Sequence, residues 1–251
     1  MASPTNPELH GRRCLTAIIT VGLATLAGGC ALFAAPLVPA RPVDGAPFGQ
    51  VVATASASVA KVGGTSCSSG VPIGSAFVAG EHLVVTAAHV VAGARTIELR
   101  FPGRRPIPAK VLVVDAADDT AVLRVDGDLP PALALAAAPI AAGQPVVVIG
   151  YPLEERGVHT ALARVSGLDE TVVLGGHTLR SLLVVDAQVV TGGSGGPVVD
   201  AAGQVHGMAS SQIPGRGGRD SSQVITLAVP ASRLAQRLAD SANLPTPTPC
   251  T

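Results

Sequence analysis

Three residues of this sequence have the types and the chain order needed for nucleophilic hydrolysis by a serine. Ser194 lies in a glycine-rich loop at 192–197, His89 follows an apolar run, and Asp119 precedes a predicted strand at 120–125. A serine becomes nucleophilic when a histidine takes its proton and a carboxylate orients that histidine. The order His, Asp, Ser is one of three known triad orders. We therefore predict His89 as general base, Asp119 as its carboxylate partner and Ser194 as nucleophile.

Two other aspartates could be the carboxylate partner of His89. Asp118 and Asp115 lie close to Asp119 in the sequence, and each of these residues could instead be a hydrogen-bond acceptor in a turn. The register of the apolar run at 121–123 favours Asp119 over Asp118, and Asp115 ranks third.

The elements that must position these residues are short strands. Runs rich in β-branched residues, separated by Gly, Pro and Asp, predict an all-β domain, arranged as barrels or a sandwich. One helix is expected, opening at Pro230 with Leu234 and Leu238 on one face. The predicted strands are 74–78, 83–86, 96–100, 109–115, 120–125, 145–149, 182–186, 197–200, 205–210 and 224–229.

The motifs around these residues resemble those of the trypsin-like serine peptidase family. Segments 74–78 (Gly-Ser-Ala-Phe-Val) and 86–90 (Thr-Ala-Ala-His-Val) are similar to the family's histidine region. Segment 192–197 (Gly-Gly-Ser-Gly-Gly-Pro) matches its serine motif except at Gly193, usually Asp or Asn. The resemblance runs from about residue 51 to the C-terminus. It implies two six-stranded β-barrels with a catalytic cleft between them, and a serine endopeptidase that forms an acyl-enzyme.

The glycines beside the serine have a physical purpose. The serine must lie on a tight turn whose N–H groups face the cleft, and glycine tolerates the positive φ of such turns. The resemblance implies that the N–H groups of Gly192 and Ser194 form the oxyanion hole. In animal digestive relatives an Asp at the position of Gly193 pairs with a newly cut N-terminus during activation. Because Gly193 has no carboxylate, we do not expect that activation switch in this chain.

The resemblance also implies a pocket for the substrate side chain that precedes the scissile bond, the P1 residue. No Asp stands in the predicted pocket walls, so we expect a neutral P1 residue rather than Arg or Lys. The predicted substrate-binding residues are Gln188, Thr191, Ser210, Ser211 and Gln212.

Two cysteines, Cys67 and Cys250, fall in the predicted protease domain. In an oxidising compartment they allow one internal disulfide. This arrangement, with one cysteine ahead of strand 74–78 and one just short of the C-terminus, is similar to that of actinobacterial acid-resistance periplasmic serine proteases. We expect a Cys67–Cys250 disulfide, with two unpaired buried thiols as the alternative.

The N-terminal part of the chain predicts export. Residues 1–14 form a polar region with Arg12 and Arg13 near its end, and 15–40 form an apolar, charge-free run. That run is long enough to cross a bilayer of roughly 30 Å. An uncleaved anchor, a cleaved signal peptide and a lipoprotein lipidated at Cys30 stay open as interpretations. Each places the following domain outside the cytoplasm, and the basic residues place residues 1–14 inside it.

A Pro- and Gly-rich linker is predicted at 41–50 and the protease domain at 51–251. The 17 basic and 17 acidic residues balance, so no nucleic-acid partner is expected. The histidines lack metal-ligand spacing, so neither a metal nor a cofactor is expected. The expected partners are a protein or peptide substrate and, through the N-terminal segment, a membrane. A peptide-binding pseudoenzyme and a purely structural lipoprotein remain as alternative functions.

Overall fold

The computed structural model describes residues 48–67, 71–153, 157–174, 176–214 and 224–241. All of them belong to one unit, Arg41–Thr251. The predicted cytoplasmic region, the anchor or signal segment with Cys30, most of the linker, and Cys250 lie outside the described residues. No helix within the described ranges combines the length and hydropathy needed to span a bilayer.

Twelve strands and three helices make up the described chain, so the predicted all-β fold with a C-terminal helix is confirmed. The strands are β1 (Val59–Ser66), β2 (Gly74–Val78), β3 (Leu83–Thr86), β4 (Ala94–Arg100), β5 (Ile107–Asp115), β6 (Thr120–Arg124), β7 (Pro145–Gly150), β8 (His159–Leu174), β9 (His177–Val185), β10 (Pro197–Val199), β11 (Val205–Pro214) and β12 (Val224–Pro230). The helices are α1 (Phe48–Ser56), α2 (Ala88–Val91) and α3 (Ala231–Asp240).

The strands form two six-stranded antiparallel barrels. The first has the order β1-β2-β3-β6-β5-β4 and closes through the pairing of β1 with β4. The second has the order β10-β11-β12-β9-β8-β7 and closes where β7 pairs with β10. Closure leaves neither sheet with an open edge.

Aliphatic side chains fill the interior, as the composition requires. All five residues of β2 are buried, which agrees with its continuous run of small and apolar residues. The largest fully buried side chains come from both barrels and include Phe77, Leu99, Leu123, Ile149, Met208 and Leu227.

Four elements depart from the predictions. Strands β1 and β8 and the single-turn helix α2 were not expected, and Phe48–Gln50, the end of the predicted linker, forms the first turn of α1. Phe48 is 1% exposed, and α1 packs against β7, so tertiary burial of one aromatic side chain overrides the turn-like composition ahead of it. The domain boundary near residue 51 stays a prediction.

Helix α3 contacts both barrels. It packs against β6 of the first barrel and against β11 and β12 of the second, with Leu234 fully buried. Pro230 precedes the first helical residue in extended conformation, at the N-cap rather than inside the helix. Its fixed φ still suits the entry into a helix.

Candidate active site

His89 and Asp119 form a close pair in the first barrel. His89 lies in the single-turn helix α2, which follows β3, and its Nδ1 is 2.9 Å from both carboxylate oxygens of Asp119. The backbone N–H of His89 also donates to Asp119 Oδ1 at 3.0 Å. An ionised carboxylate can only accept, so Nδ1 must carry the hydrogen. Nε2 is therefore left as the proton acceptor of the ring.

Asp119 lies in the turn between β5 and β6 and has an unusual backbone conformation. Its φ is +46°, a left-handed conformation that Asp tolerates better than most residues. Its carbonyl accepts the N–H of Ala88 at 3.1 Å, so backbone and side chain of Asp119 both bind the start of α2. Asp118 points elsewhere, and its carboxylate pairs with Arg233 and Arg237 of α3. Of the candidate carboxylates, Asp119 is the one that meets His89.

The carboxylate of Asp119 remains ionised despite its burial. Only 7% of the residue is exposed, and this burial by itself raises the pKa. Hydrogen bonds from the His89 ring and the Ser210 hydroxyl, with the charge of His89, outweigh that effect and hold the pKa of Asp119 below its ordinary value of 3.8. A negative charge therefore lies against Nδ1 of His89 at neutral pH.

Ser210 links Asp119 to the serine loop. Its hydroxyl donates to Asp119 Oδ2, and its carbonyl accepts the hydroxyl of Ser194 at 2.9 Å. The residue is 2% exposed, so its hydroxyl serves the carboxylate rather than an open pocket. Sequence reasoning placed Ser210 in the substrate pocket and missed this contact.

Ser194 lies in the loop that leads into β10 of the second barrel. Its carbonyl accepts the N–H of Ser75, from β2 of the first barrel, at 2.8 Å. Within the described residues no hydrogen bond joins its hydroxyl to His89, because that hydroxyl donates to Ser210. The contacts of Ser210 still bring the three predicted triad residues into one network. In a different χ1 rotamer, the Ser194 hydroxyl would point away from the Ser210 carbonyl.

The loop around Ser194 exposes two backbone donors. Among the described residues, the N–H groups of Gly192 and Ser194 have no acceptor, whereas those of Gly193, Gly195 and Gly196 bond to nearby carbonyls. Gly192 has a φ of +98°, and a Cβ there would come within 2.5 Å of the Tyr151 carbonyl oxygen. Only glycine fits that position. The two donors without acceptors are those predicted for the oxyanion hole.

A cavity of about 410 Å³ lies beside His89 and Asp119. Its remaining lining residues, most of them apolar, are Ala88, Ala92, Val114, Ala116, His177, Leu179 and Ser211. Of the predicted substrate-binding residues, Ser211 therefore reaches this cavity. Gln188, Thr191 and Gln212 are exposed, and no side-chain hydrogen bond to another described residue fixes them.

Residues 74–208, more than half of the chain, match the sequence model of the trypsin-like peptidase domain. The chain belongs to the trypsin-like peptidase family. Serine protease Rv3671c of Mycobacterium tuberculosis (strain H37Rv) is 34% identical over 184 residues, which cover 69% of this chain and 45% of that protein. Mitochondrial serine protease HTRA2 of Bos taurus is 34% identical over 174 residues, which cover 67% of this chain and 36% of that protein. This chain thus spans less than half the length of these curated relatives.

Solved structures agree with this assignment. The crystal structure of the active form of the Rv3671c protease matches with a TM-score of 0.72 and 28% identity, over 92% of this chain and 97% of that chain. The HtrA-type protease AlgW with a tripeptide matches with a TM-score of 0.68 and 27% identity, over 78% of this chain and 64% of that chain.

The structure also explains the glycine by which this trypsin-like peptidase departs from the family's serine motif. A Cβ at Gly193 would lie 2.1 Å from Cγ1 of Val189, and Val189 is itself buried. An acidic side chain at this position would have to displace Val189. The space that an activating carboxylate would need is therefore occupied by an apolar side chain.

Proposed function

We propose that this chain is a serine endopeptidase that cleaves peptide bonds through an acyl-enzyme on Ser194. The observation that supports this most is the His89–Asp119 pair, linked through Ser210 to a serine loop in which the N–H groups of Gly192 and Ser194 have no acceptor among the described residues. Base, orienting carboxylate, nucleophile and oxyanion donors are the four parts that acyl transfer needs.

In the acylation step, Ser194 Oγ bonds to the scissile carbonyl carbon while Nε2 of His89 accepts the hydroxyl proton. The carbonyl π electrons move to the oxygen, and this oxyanion accepts hydrogen bonds from the N–H groups of Gly192 and Ser194. The C–N bond then breaks, and His89 gives its proton to the leaving amine. Asp119 stabilises the imidazolium throughout without taking its proton.

In the deacylation step, water attacks the acyl carbon and His89 accepts one of its protons. The second tetrahedral intermediate uses the same two donors, Gly192 and Ser194. Its collapse breaks the ester bond, returns the proton to Ser194 Oγ and releases the carboxylate product. Each donor contributes about 3 kcal/mol to transition-state stabilisation in enzymes of this type.

Peptides with neutral side chains near the scissile bond suit the site best. The cavity beside His89 is mostly apolar, and its acidic group, Asp119, is already bound to His89 and Ser210. The residues proposed for the P1 pocket, Gln188, Thr191 and Gln212, carry no charge. Because the pocket lacks a charged partner, we propose a neutral P1 residue.

Labelling with a fluorophosphonate probe, alongside cleavage of a peptide library, tests the activity. The wild-type chain is expected to label and to cleave, and Ser194→Ala to do neither. Ser232→Ala, which removes an exposed hydroxyl of helix α3 that does not line this cavity, is the matched control and should label like the wild type. Equal labelling of wild type and Ser194→Ala, or a folded wild type that neither labels nor cleaves, would favour a peptide-binding protein instead.

We propose further that residues 1–40 export this domain and tether it to a membrane. The apolar run at 15–40 and the basic residues before it support this. Mass analysis of the N-terminus of protein recovered from membranes separates an intact anchor from a cleaved signal and from lipidation at Cys30. Recovery of the intact chain from the cytosol alone would contradict the proposal.

A further inference from the structure

A lysine of the first barrel holds a loop of the second barrel next to the serine loop. Lys61 lies in β1, and its Nζ donates to the carbonyl of Pro152 at 3.1 Å and to that of Leu153 at 3.0 Å. Both residues follow β7, the strand that pairs with β10. The ammonium group thus fixes two consecutive carbonyls of a segment that belongs to no strand.

The segment held by Lys61 in turn binds the peptide unit that leads into Gly192. The N–H of Leu153 donates to the carbonyl of Thr191 at 2.8 Å. The Thr191–Gly192 peptide is planar and trans, so its C=O and N–H point in opposite directions. With the carbonyl held by Leu153, the N–H of Gly192 must point away from Leu153, to the side where no described residue accepts it.

Ser75 provides a second hold on the same segment. It pairs with Lys61 in the β1–β2 register, so the two side chains project from the same face of the sheet. Its hydroxyl accepts the N–H of Tyr151 at 2.8 Å and donates to the carbonyl of Gly192 at 2.7 Å. Lys61 and Ser75 together attach residues 151–153, which follow β7, and the serine loop to one strand pair.

We propose, on the basis of the function proposed above, that Lys61 is a positioning residue that keeps the oxyanion hole open. Lys61 acts through Leu153. The N–H of Leu153 fixes the Thr191 carbonyl and so directs the N–H of Gly192 into the hole. When Lys61 is lost, the two loop carbonyls lose their cationic donor and Leu153 is free to move. The Thr191 carbonyl can then rotate toward the hole, since Gly192 has no Cβ to restrict its φ.

Three variants of the full-length chain test this role by their steady-state kinetics. Lys61→Met should lower kcat at least tenfold and leave KM within about twofold, because loss of one oxyanion donor costs about 10²–10³ in kcat. Lys61→Arg should restore most of the activity, since a guanidinium can also donate to two carbonyls. Lys110→Met removes the other lysine of the chain, which pairs with Asp126 in the same barrel, and should leave kcat unchanged.

A pair of inhibitors separates positioning from general damage. A peptide aldehyde reacts with the enzyme: its carbonyl carbon bonds to Ser194 Oγ, the hydroxyl proton passes to His89, and the carbonyl oxygen becomes an oxyanion in the hole. The corresponding peptide alcohol binds the same cleft but forms no oxyanion. Lys61→Met should weaken aldehyde binding by the same factor as kcat/KM and leave alcohol binding unchanged.

Wild-type kcat and aldehyde affinity in Lys61→Met would overturn the proposal, as would an equal loss of aldehyde and alcohol binding. Lys61→Gln is a second neutral variant in case the Met variant fails to fold, and thermal unfolding monitors both. Failure of the proposed function has a different signature, because the wild-type chain itself would then neither label nor cleave.

Discussion

At the residue scale, the charge of Asp119 depends on the balance between its burial and the hydrogen bonds that it accepts. Burial disfavours the carboxylate, whereas His89 and Ser210 donate to it and His89 adds an opposite charge when protonated. The donors prevail, and the folded pKa is lowered. The same arrangement that prepares His89 as a base therefore makes the stability of the fold sensitive to acid.

Because the folded pKa of Asp119 lies below 3.8, its ionised form adds stability above that value. This contribution is lost as pH falls from 3.8 through the folded pKa. Asp119→Asn cannot ionise, so wild type and variant should differ most in free energy of unfolding near neutral pH, and this difference should shrink in acid. Urea unfolding of both proteins at about pH 7, 5 and 3 measures it. An equal difference at all three values would contradict the assigned charge state.

His89 and Ser194 can be proposed from the sequence because both lie in short motifs whose neighbours are local in the chain. The choice of Asp119 over Asp118 rests on strand register; in the structure Asp119 contacts His89, whereas Asp118 binds α3. The role of Ser210 was not predictable in this way. Its contact with Asp119 spans 91 residues and depends on how the two barrels meet.

At the element scale, helix α3 holds the turn that carries Asp119. Arg237 pairs with Asp115 at 2.7 Å and with Asp118 at 3.2 Å, and Arg233 also binds Asp118. The N–H groups of Ala117 and Asp118 donate to Asp115, so the turn is bonded internally as well. The second barrel's C-terminal helix thereby fixes the approach to a carboxylate of the first barrel.

Arg237→Met should loosen this turn. The arginine side chain is 23% exposed, so its ion pairs are only partly screened. We expect a loss of about 1–2 kcal/mol in the free energy of unfolding, and each kcal/mol lowers Tm by about 2–4 °C in a domain of this size. Thermal unfolding measures the shift. Lys110→Met is the control, because its ion pair with Asp126 is largely exposed and should not affect Tm. Equal Tm values for the two variants would contradict a structural role for the helix contact.

Each of the two strands that were not predicted has a local irregularity. Strand β1 contains Gly63 and Gly64, which lower strand propensity, and Gly64 has a φ of +152° where it approaches the backbone of Thr96. Strand β8 is 16 residues long and shifts register three times against β9, so its apolar residues do not alternate regularly. Strands with uninterrupted β-branched runs, such as β7, were predicted almost to the residue.

At the scale of the whole molecule, the site depends on contacts between the two barrels. His89 and Asp119 belong to the first barrel and Ser194 to the second, and no single strand, helix or loop contains all three. The two parts meet where β1 and β2 pack against β7, near the bonds from Ser75 to the serine loop. A covalent bond between the first barrel and the C-terminal segment should therefore also stabilise the site.

The predicted Cys67–Cys250 disulfide would be such a bond. Cys67 directly follows β1, and its N–H donates to the carbonyl of Gly93 at 3.0 Å, so one end of the bond is anchored on the first barrel. Cys250 lies outside the described residues, and the pairing stays a prediction. Because the bond would close a loop of most of the domain, we expect reduction to cost about 2–4 kcal/mol of stability.

Alkylation without reductant, followed by mass analysis, tests the pairing in protein recovered from an oxidising compartment. Cys67 and Cys250 should stay unmodified until reductant is added, and reduction should then lower Tm. A Cys67→Ser, Cys250→Ser variant should have the Tm of the reduced protein and no further response to reductant, because its stability no longer depends on redox state. Modification of both cysteines without reductant would show two free thiols and reject the disulfide.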